Sequence, residues 1–281
     1  MKEWGRLRAR EVIMTKRDET VLITGASSGI GAATAEQLAA HGFRVFGTSR
    51  REREPKGDGI EWVAMDIRDE GSVERAVARV IESAGRIDAV VCNAGMGIFG
   101  SAEEVPISAA QEQFDTNYFG TLRTLRAVLP GMRSARHGRV VIVGSLGAHA
   151  PIPFQSHYSS SKAAVAALAL ALRNEVHRDG IQVSLIEPGD CNTPFNDATE
   201  WGDPAGSDYG DRIASCREAI VEMLPKAPEP SCVARVIERA LTARRPRVRY
   251  SAAADAWLAP FARRFLPDWL TLALVRSRYR V

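Results

Sequence analysis

The alternation of short apolar runs with longer alanine-rich segments is the feature of this 281-residue chain that most restricts its fold. Seven runs have the length and β-branched composition of strands: Thr20–Thr24, Phe43–Ser49, Ile60–Met65, Ile87–Cys92, Arg139–Gly144, Ile181–Glu187 and Arg247–Tyr250. Five segments between them have helical patterns: Ile30–Ala40, Glu70–Ala84, Ala109–Arg133, Tyr158–Arg178 and Ser231–Ala243. Such alternation is typical of βαβ units. We predict an α/β fold with a doubly wound parallel sheet of about seven strands, and a ligand at the carboxyl ends of the strands.

The composition excludes several classes of protein. With 45% hydrophobic and 25% charged residues, the chain is neither disordered nor collagenous. A formal net charge of +3 is too small to indicate a nucleic-acid partner, and no run of eighteen apolar residues indicates a membrane-spanning helix. The four cysteines are scattered along the chain and lack the spacing of metal ligands, so we expect no metal site. Scattered cysteines of this kind also indicate reduced thiols and therefore a cytoplasmic location. They are Cys92, Cys191, Cys216 and Cys232.

A glycine-rich loop follows the first strand and opens the first helix. Its sequence is TGASSGIG, residues 24–31. Glycines in this position permit a tight turn and a close approach of the backbone to a pyrophosphate, which binds the free N–H groups of the helix N-terminus. The loop therefore predicts a dinucleotide site. The residues expected to contact the cofactor are Gly25, Ser27, Ser28, Gly29, Ile30 and Gly31.

The end of the second strand indicates which dinucleotide binds. Ser49, Arg50 and Arg51 stand where an acid would hold a free ribose 2′-hydroxyl, and no acid occurs before Glu52. A guanidinium and a hydroxyl instead suit a 2′-phosphate, so NADP(H) is favoured over the alternative that both arginines are solvated loop residues. Further cofactor contacts are expected after the third and fourth strands, at Asp66, Ile67, Asn93, Ala94 and Gly95.

A tyrosine and a lysine begin the fourth helical segment. Tyr158 and Lys162 are four residues apart and therefore share one helix face. A phenol transfers protons poorly at neutral pH unless a nearby cation lowers its pKa, which Lys162 can do. Ser145 ends the fifth strand at the expected ligand edge, where its hydroxyl could hold a substrate carbonyl, and Asn117 is a polar residue inside an apolar-faced helix.

These motifs together resemble the short-chain dehydrogenase/reductase family over nearly all of residues 20–250. The pieces that match are TGASSGIG at 24–31, Asp66, NAG at 93–95, Asn117, Ser145, YSSSK at 158–162 and PGDCNT at 188–193. The resemblance implies a Rossmann-like fold, with Tyr158 as general acid/base and Lys162 lowering its pKa and binding the nicotinamide ribose. It further implies that Ser145 orients the carbonyl and that Asn117 holds a water linked to Lys162.

The resemblance also implies contacts at the nicotinamide end, from Pro188, Gly189 and Thr193. One departure is Cys92, where many relatives have a second asparagine. The segments PFQSHYSSSKAA, VSLIEPGD and RPRVRY are most similar to the hydroxysteroid and retinol dehydrogenase branch. We expect a mostly apolar substrate pocket, and its candidate residues are Met96, Ile98, Phe99, Phe154, Phe195, Tyr209 and Met223.

The expected domain organisation is a single catalytic domain with two appendages. Residues 1–19 form a flexible arm, residues 20–251 the Rossmann-like domain, and residues 192–230 a Gly- and Pro-rich lid insertion without strand or long-helix pattern. Residues 252–281 form an apolar and basic helical tail. The tail either covers the substrate site, meets a sister subunit in a homodimer or homotetramer, or contacts a membrane surface.

The predicted function is NADP(H)-dependent interconversion of a ketone or aldehyde and an alcohol. The substrate is expected to be a small lipophilic molecule, similar to a steroid, a retinoid or an aromatic ketone. A catalytically silent dinucleotide sensor or scaffold on the same fold is the alternative. Since such a sensor usually lacks the tyrosine or the lysine, the presence of Asn117, Ser145, Tyr158 and Lys162 favours an enzyme.

Overall fold

The computed structural model describes residues 19–54, 57–195, 199–202, 204–252 and 265–281. The strands are β1 (Thr20–Ile23), β2 (Arg44–Ser49), β3 (Ile60–Ala64), β4 (Ala89–Cys92), β5 (Ile98–Phe99), β6 (Gly138–Val143), β7 (Ile181–Pro188), β8 (Glu200–Trp201) and β9 (Arg249–Ala252). The helices are α1 (Gly29–Ala40), α2 (Glu70–Ala84), α3 (Ile107–Phe114), α4 (Gly120–Ala135), α5 (Ser156–Glu175), α6 (Gly210–Met223), α7 (Ser231–Thr242) and α8 (Asp268–Tyr279).

Seven strands form one parallel sheet in the order β3-β2-β1-β4-β6-β7-β9. β1 and β4 are buried at every position, as strands covered on both faces require. The predicted α/β fold with a doubly wound, Rossmann-like sheet is therefore confirmed. The order of the strands reverses at β1, since β2 and β3 lie on one side of it and β4 on the other, so the expected ligand crevice opens at the carboxyl ends of β1 and β4.

The helices cover the sheet in two layers. One core contains the buried faces of α2, α4 and α5, and the core on the opposite face contains those of α1 and α7. α2 shows why the sequence folds this way, because Val73, Ala76, Val77 and Val80 lie on one side of the helix and are its buried residues. These two layers hold the strand ends in fixed positions beneath the crevice.

Two predicted segments differ from the structure. The helix expected over Ala109–Arg133 is divided into α3 and α4 by a π-helical turn, Asp115–Phe119. The insertion at residues 192–230 was expected to lack helical pattern, but it contains the 14-residue helix α6, which buries Ile213, Cys216 and Ile220. Because the insertion is rich in Gly, Pro and Asp, the sequence did not predict a helix from the spacing of these apolar residues. The N-terminal arm predicted for residues 1–19 lies outside the described residues except for Glu19.

The described part of the tail is the helix α8, which packs against α6. Tyr279 joins Ile213, Cys216 and Ile220 in a third apolar cluster next to the sheet edge. No helix among the described residues is both long and apolar enough to cross a membrane. The other face of α8 exposes Trp269 and Leu274, which are 69% and 54% accessible.

Candidate functional site

A cavity of about 690 Å³ lies along the carboxyl ends of the strands, where the fold predicts a ligand. Most residues that the sequence nominated line it: Gly25, Ser27, Ser28, Gly29, Ile30, Ser49, Arg50, Asp66, Ile67, Asn93, Ala94, Gly95, Met96, Ser145, Tyr158, Lys162, Pro188, Gly189, Thr193 and Phe195. The nominated residues absent from this lining are Gly31, Arg51, Ile98, Phe99, Asn117, Phe154 and Tyr209. The sequence motifs therefore converge on one cavity, although seven of the nominated residues lie outside its lining.

The glycine-rich loop has the geometry of an anion cradle. Gly25 and Gly29 have φ angles of +65° and +54°, which favour glycine. Ser28, the N-cap of α1, makes no side-chain hydrogen bond to the helix, and the first turn holds no acid. The positive end of the helix dipole is thus available to a negative group, and this arrangement fits a dinucleotide pyrophosphate.

Gly31 acts from outside the cavity by allowing close packing. A Cβ at this position would lie 2.2 Å from the carbonyl oxygen of Gly25 and 2.5 Å from Nδ2 of Asn93. That amide group donates hydrogen bonds of 3.0 and 3.1 Å to the carbonyl oxygens of Thr24 and Gly25. The predicted cofactor residues Gly31 and Asn93 therefore hold the loop in shape.

We expect Gly31→Ala to weaken NADPH binding by about tenfold or more, because its Cβ forces the Gly25 carbonyl out of the loop. Titration of the intrinsic fluorescence with NADPH measures the dissociation constant. Gly131→Ala is the matched control, since nothing lies within 4 Å of a Cβ at that helical position. Equal NADPH affinities for the two variants would contradict this assignment of Gly31.

The cavity end beyond β2 and β3 holds a second arginine that the sequence did not nominate. Arg50 lines it as predicted, and Arg68 lines it too. Arg68 forms ion pairs of 2.8 Å with Asp66 and 2.9 Å with Glu112, and the hydrogen bonds from Arg68 hold the pKa of Asp66 below its usual value. Both carboxylate oxygens of Asp66 accept from Arg68, so the expected contact with an adenine amino group must share them.

The catalytic candidates meet at the opposite end of the cavity. Tyr158 and Lys162 lie on α5, and the Lys162 ammonium is 5.9 Å from the centre of the Tyr158 ring. Lys162 is only 6% exposed and donates a 3.0 Å hydrogen bond to the carbonyl oxygen of Val143 at the end of β6. Ser145 follows this strand and lines the same cavity. A tyrosine hydroxyl, a serine hydroxyl and a buried cation thus face one space.

Burial controls the protonation of this group. It raises the pKa of Tyr158; an interaction with the Ser145 hydroxyl opposes the rise and the charge of Asp190 adds to it. Burial also lowers the pKa of Lys162 to about 8. The lowered tyrosine pKa that the resemblance implied is therefore not what the protein residues alone produce. At neutral pH Tyr158 is protonated and can donate a proton.

Asn117 is a buried residue outside the cavity lining that forms hydrogen bonds to two neighbouring segments. It lies in the π-helical turn and is 1% exposed. Its Oδ1 accepts from the backbone N–H of Met96 at 2.8 Å, and its Nδ2 donates to Ser161 Oγ at 2.9 Å. π-helical turns occur frequently at functional sites. The turn links the loop after β4 to α5, and the water contact implied for Asn117 stays a prediction.

Comparison with known proteins agrees with this geometry. A family model described as short chain dehydrogenase matches residues 19–202. The chain belongs to the short-chain dehydrogenase family. It is 42% identical over 195 residues to a 3-ketodihydrosphingosine reductase of Bacteroides thetaiotaomicron, covering 69% of this chain and 72% of that relative. It is 34% identical over 255 residues to human 17-beta-hydroxysteroid dehydrogenase type 1, covering 82% and 76% respectively.

Solved structures support the same assignment. A short-chain dehydrogenase from Streptomyces avermitilis superposes with a TM-score of 0.79 at 29% identity, covering 92% of this chain and 98% of that one. The predicted similarity to the hydroxysteroid dehydrogenase branch is confirmed by the relatives. This short-chain dehydrogenase is therefore an oxidoreductase of a family that uses nicotinamide cofactors.

The substrate end of this short-chain dehydrogenase differs in part from the sequence prediction. Met96, Phe195 and Met223 line the cavity as expected, and the Phe195 ring is 5.7 Å from that of Tyr158. Phe99 instead is fully buried in the core below, 6.0 Å from the Phe154 ring. Phe154 and Tyr209 line a smaller neighbouring cavity. Ile98 is a buried strand residue, so the nominated apolar side chains divide between wall and core.

Sequence reasoning missed the residues that complete the wall. Ile220 comes from α6 and Leu224 follows it, whereas Val275, Arg278 and Tyr279 come from α8. Asp190, which follows Gly189, lines the cavity too. The sequence left open whether the apolar tail covers this site, and the large apolar side chains of Trp269 and Leu274 in the tail are exposed and take no part in the wall. The helical spacing of Val275 and Tyr279, four residues apart, was the available signal.

Proposed function

We propose that this short-chain dehydrogenase is an NADP(H)-dependent reductase of lipophilic ketones or aldehydes. The observation that carries the proposal is the convergence of Tyr158, Ser145 and Lys162 on the cavity that also contains the anion cradle. NADPH supplies the hydride when it is bound. All other steps belong to residues of this chain.

Ser145, Tyr158 and Lys162 have different roles in the transfer of the proton. The Ser145 hydroxyl holds the carbonyl oxygen, and Tyr158 gives its phenolic proton to the same oxygen as the alcohol forms. The positive charge of Lys162 stabilises the phenolate that remains. The apolar wall from α6 and α8 excludes water, which strengthens these charge interactions.

The raised pKa of Tyr158 favours reduction at neutral pH. Burial keeps the phenol protonated there, which is the state that donates to a carbonyl. Oxidation of an alcohol needs the phenolate, so that direction requires a higher pH. The protonated state of Tyr158 therefore supports reduction as the physiological direction.

The preference for NADP(H) is supported by Arg50 at the nucleotide end of the cavity. Arg50 lines it, whereas the neighbouring Arg51 does not. We expect NADPH to bind at least about tenfold more tightly than NADH, since a guanidinium next to a 2′-phosphate forms strong charge-assisted hydrogen bonds. Arg50→Ala should reduce that ratio and its dependence on salt concentration.

The dissociation constants of both nucleotides for the unmutated protein, Arg50→Ala and Arg51→Ala measure this preference. Arg51→Ala is the matched control and should keep most of it. Equal affinities for NADPH and NADH in the unmutated protein would refute the proposed cofactor preference. If Arg51→Ala reduced the NADPH preference more than Arg50→Ala does, the residue that contacts the 2′-phosphate would be Arg51.

A lipophilic substrate is supported by the apolar wall and by the relatives. Ile220, Met223, Leu224 and Val275 form a hydrocarbon surface beside Tyr158. Relatives are named for steroid and sphingoid substrates, which are large and apolar. The insertion at residues 192–230 and the tail at 252–281 then serve as the cover of the pocket. A homodimer or homotetramer, a cytoplasmic location and a peripheral membrane contact through the tail stay predictions.

A panel of ketones and aldehydes assayed for NADPH consumption tests the proposed function. We expect bulky apolar ketones to have kcat/KM values at least about tenfold above those of small polar ones, since each buried methylene contributes about 0.8 kcal/mol. NADPH binding without turnover of any member of the panel would instead favour the silent sensor.

A further inference from the structure

An ion pair lies in the catalytic half of the cavity. The guanidinium of Arg278, on α8, is 2.6 Å from Oδ2 of Asp190, which directly follows Gly189 at the end of β7. Both side chains line the cavity, and they are 49% and 39% exposed, so a ligand can reach them. Of the charged residues described along this cavity, only these two and Lys162 lie outside the nucleotide end.

The surroundings of this pair are apolar. Ile220, Met223, Leu224 and Val275 line the cavity; Ile220 belongs to the third apolar cluster, and the other three pack against that cluster. A carboxylate in such a place costs free energy unless it has partners. The arrangement suits a ligand that has one polar group next to the reacting carbon and a hydrocarbon portion beyond it.

The charge of Asp190 acts next to the catalytic tyrosine, because it raises the pKa of both Tyr158 and Tyr279. Arg278 occupies Oδ2 of Asp190, whereas Oδ1 has no hydrogen bond within the described part of the chain. This Oδ1 atom is a hydrogen-bond acceptor, so it fits a cationic donor better than an anion.

We propose that Asp190 binds a protonated amine on the carbon next to the substrate carbonyl. The preferred substrates are then long-chain α-amino ketones, which become 2-amino alcohols on reduction. This assignment rests on the proposed reductase function and specifies its substrate class. Arg278 holds the Asp190 carboxylate in position through their ion pair, and the hydrocarbon chain of the substrate lies against α6 and α8.

The test compares two long-chain ketones that are identical except for the amino group beside the carbonyl. With NADPH, the unmutated protein should reduce the amino ketone with a kcat/KM at least about tenfold higher, which is the size expected for one charge-assisted contact. Asp190→Asn should bring that ratio close to one. Most of the loss should occur in KM, because the contact exists before the chemical step.

Glu222→Gln is the matched control. Glu222 lies outside the cavity lining, and its 2.6 Å ion pair with Arg280 is a second link between α8 and the rest of the protein. This variant loosens α8 without removing a charge from the pocket, so the ratio should persist. If Glu222→Gln reduces the ratio as much as Asp190→Asn does, Asp190 merely holds α8 and the inference is wrong.

The remaining outcomes separate this inference from the proposed function. If the unmutated protein reduces both ketones equally well, it is a reductase that does not recognise the amine, and only the inference fails. If it reduces neither these ketones nor any other carbonyl compound, both fail.

Discussion

Tyr158→Phe should reduce kcat for carbonyl reduction by about 10³-fold, which lies within the usual range for removal of a general acid. The variant keeps the aromatic ring that faces Phe195 and loses only the hydroxyl that donates the proton. Because that proton is transferred as the alkoxide forms, the loss should occur in kcat and leave the NADPH dissociation constant nearly unchanged. Steady-state oxidation of NADPH measures kcat, and titration of the intrinsic fluorescence with NADPH measures the dissociation constant.

Tyr209→Phe is the matched control for this experiment. The Tyr209 hydroxyl is 2.6 Å from Glu103 and lies outside the main cavity, so its removal should leave kcat within about twofold. If Tyr158→Phe retained the full kcat, another group would have to donate the proton and the assignment of Tyr158 would be wrong. The silent-sensor alternative makes a different prediction, because neither tyrosine would then affect a turnover that does not exist.

The parts of the fold and site that the sequence predicted depend on local patterns. Most of the seven sheet strands are short apolar runs, and both layers of helices show alanine-rich or amphipathic spacing. The loop at residues 24–31 and the Tyr158–Lys162 pair are contiguous motifs, so their residues stay neighbours in any fold that contains them. Their convergence follows from one further rule, that parallel strands present their carboxyl ends at one edge.

The parts that the sequence did not predict depend on contacts between distant segments. Arg68 forms ion pairs with Asp66 and Glu112 at the cavity, and no local sequence pattern predicts these two contacts together. Phe99 and Phe154 were equal candidates for the pocket wall, and only the three-dimensional packing separates a core residue from a wall residue. The contribution of α8 to the cavity required the register between a C-terminal helix and α6, which no local pattern specifies.

Lys162 also illustrates what sequence reasoning cannot supply, namely the free-energy cost of a functional charge. Its pKa falls from 10.5 to about 8 because the ammonium is buried. One pKa unit corresponds to about 1.4 kcal/mol, so burying this charge destabilises the folded protein by about 3 kcal/mol at neutral pH. The hydrogen bond to the Val143 carbonyl offsets about 1 kcal/mol of that cost.

We therefore expect Lys162→Met to abolish measurable turnover and, at pH 7, to raise the free energy of unfolding by about 2 kcal/mol. Urea denaturation at several pH values measures the change. The gain should be complete below pH 8, where Lys162 is charged in the folded state. It should disappear between about pH 8 and 10.5, because the folded lysine is neutral in this range while the unfolded one still holds its proton, so the cost of burial falls as the pH rises. Lys226→Met, at an exposed position, should change the stability by less than about 0.5 kcal/mol at every pH.

A Lys162→Met protein that is less stable than the unmutated one at pH 7 would show that the ammonium is a net stabilising group. Lys162 would then owe its presence to the fold as much as to the chemistry of Tyr158.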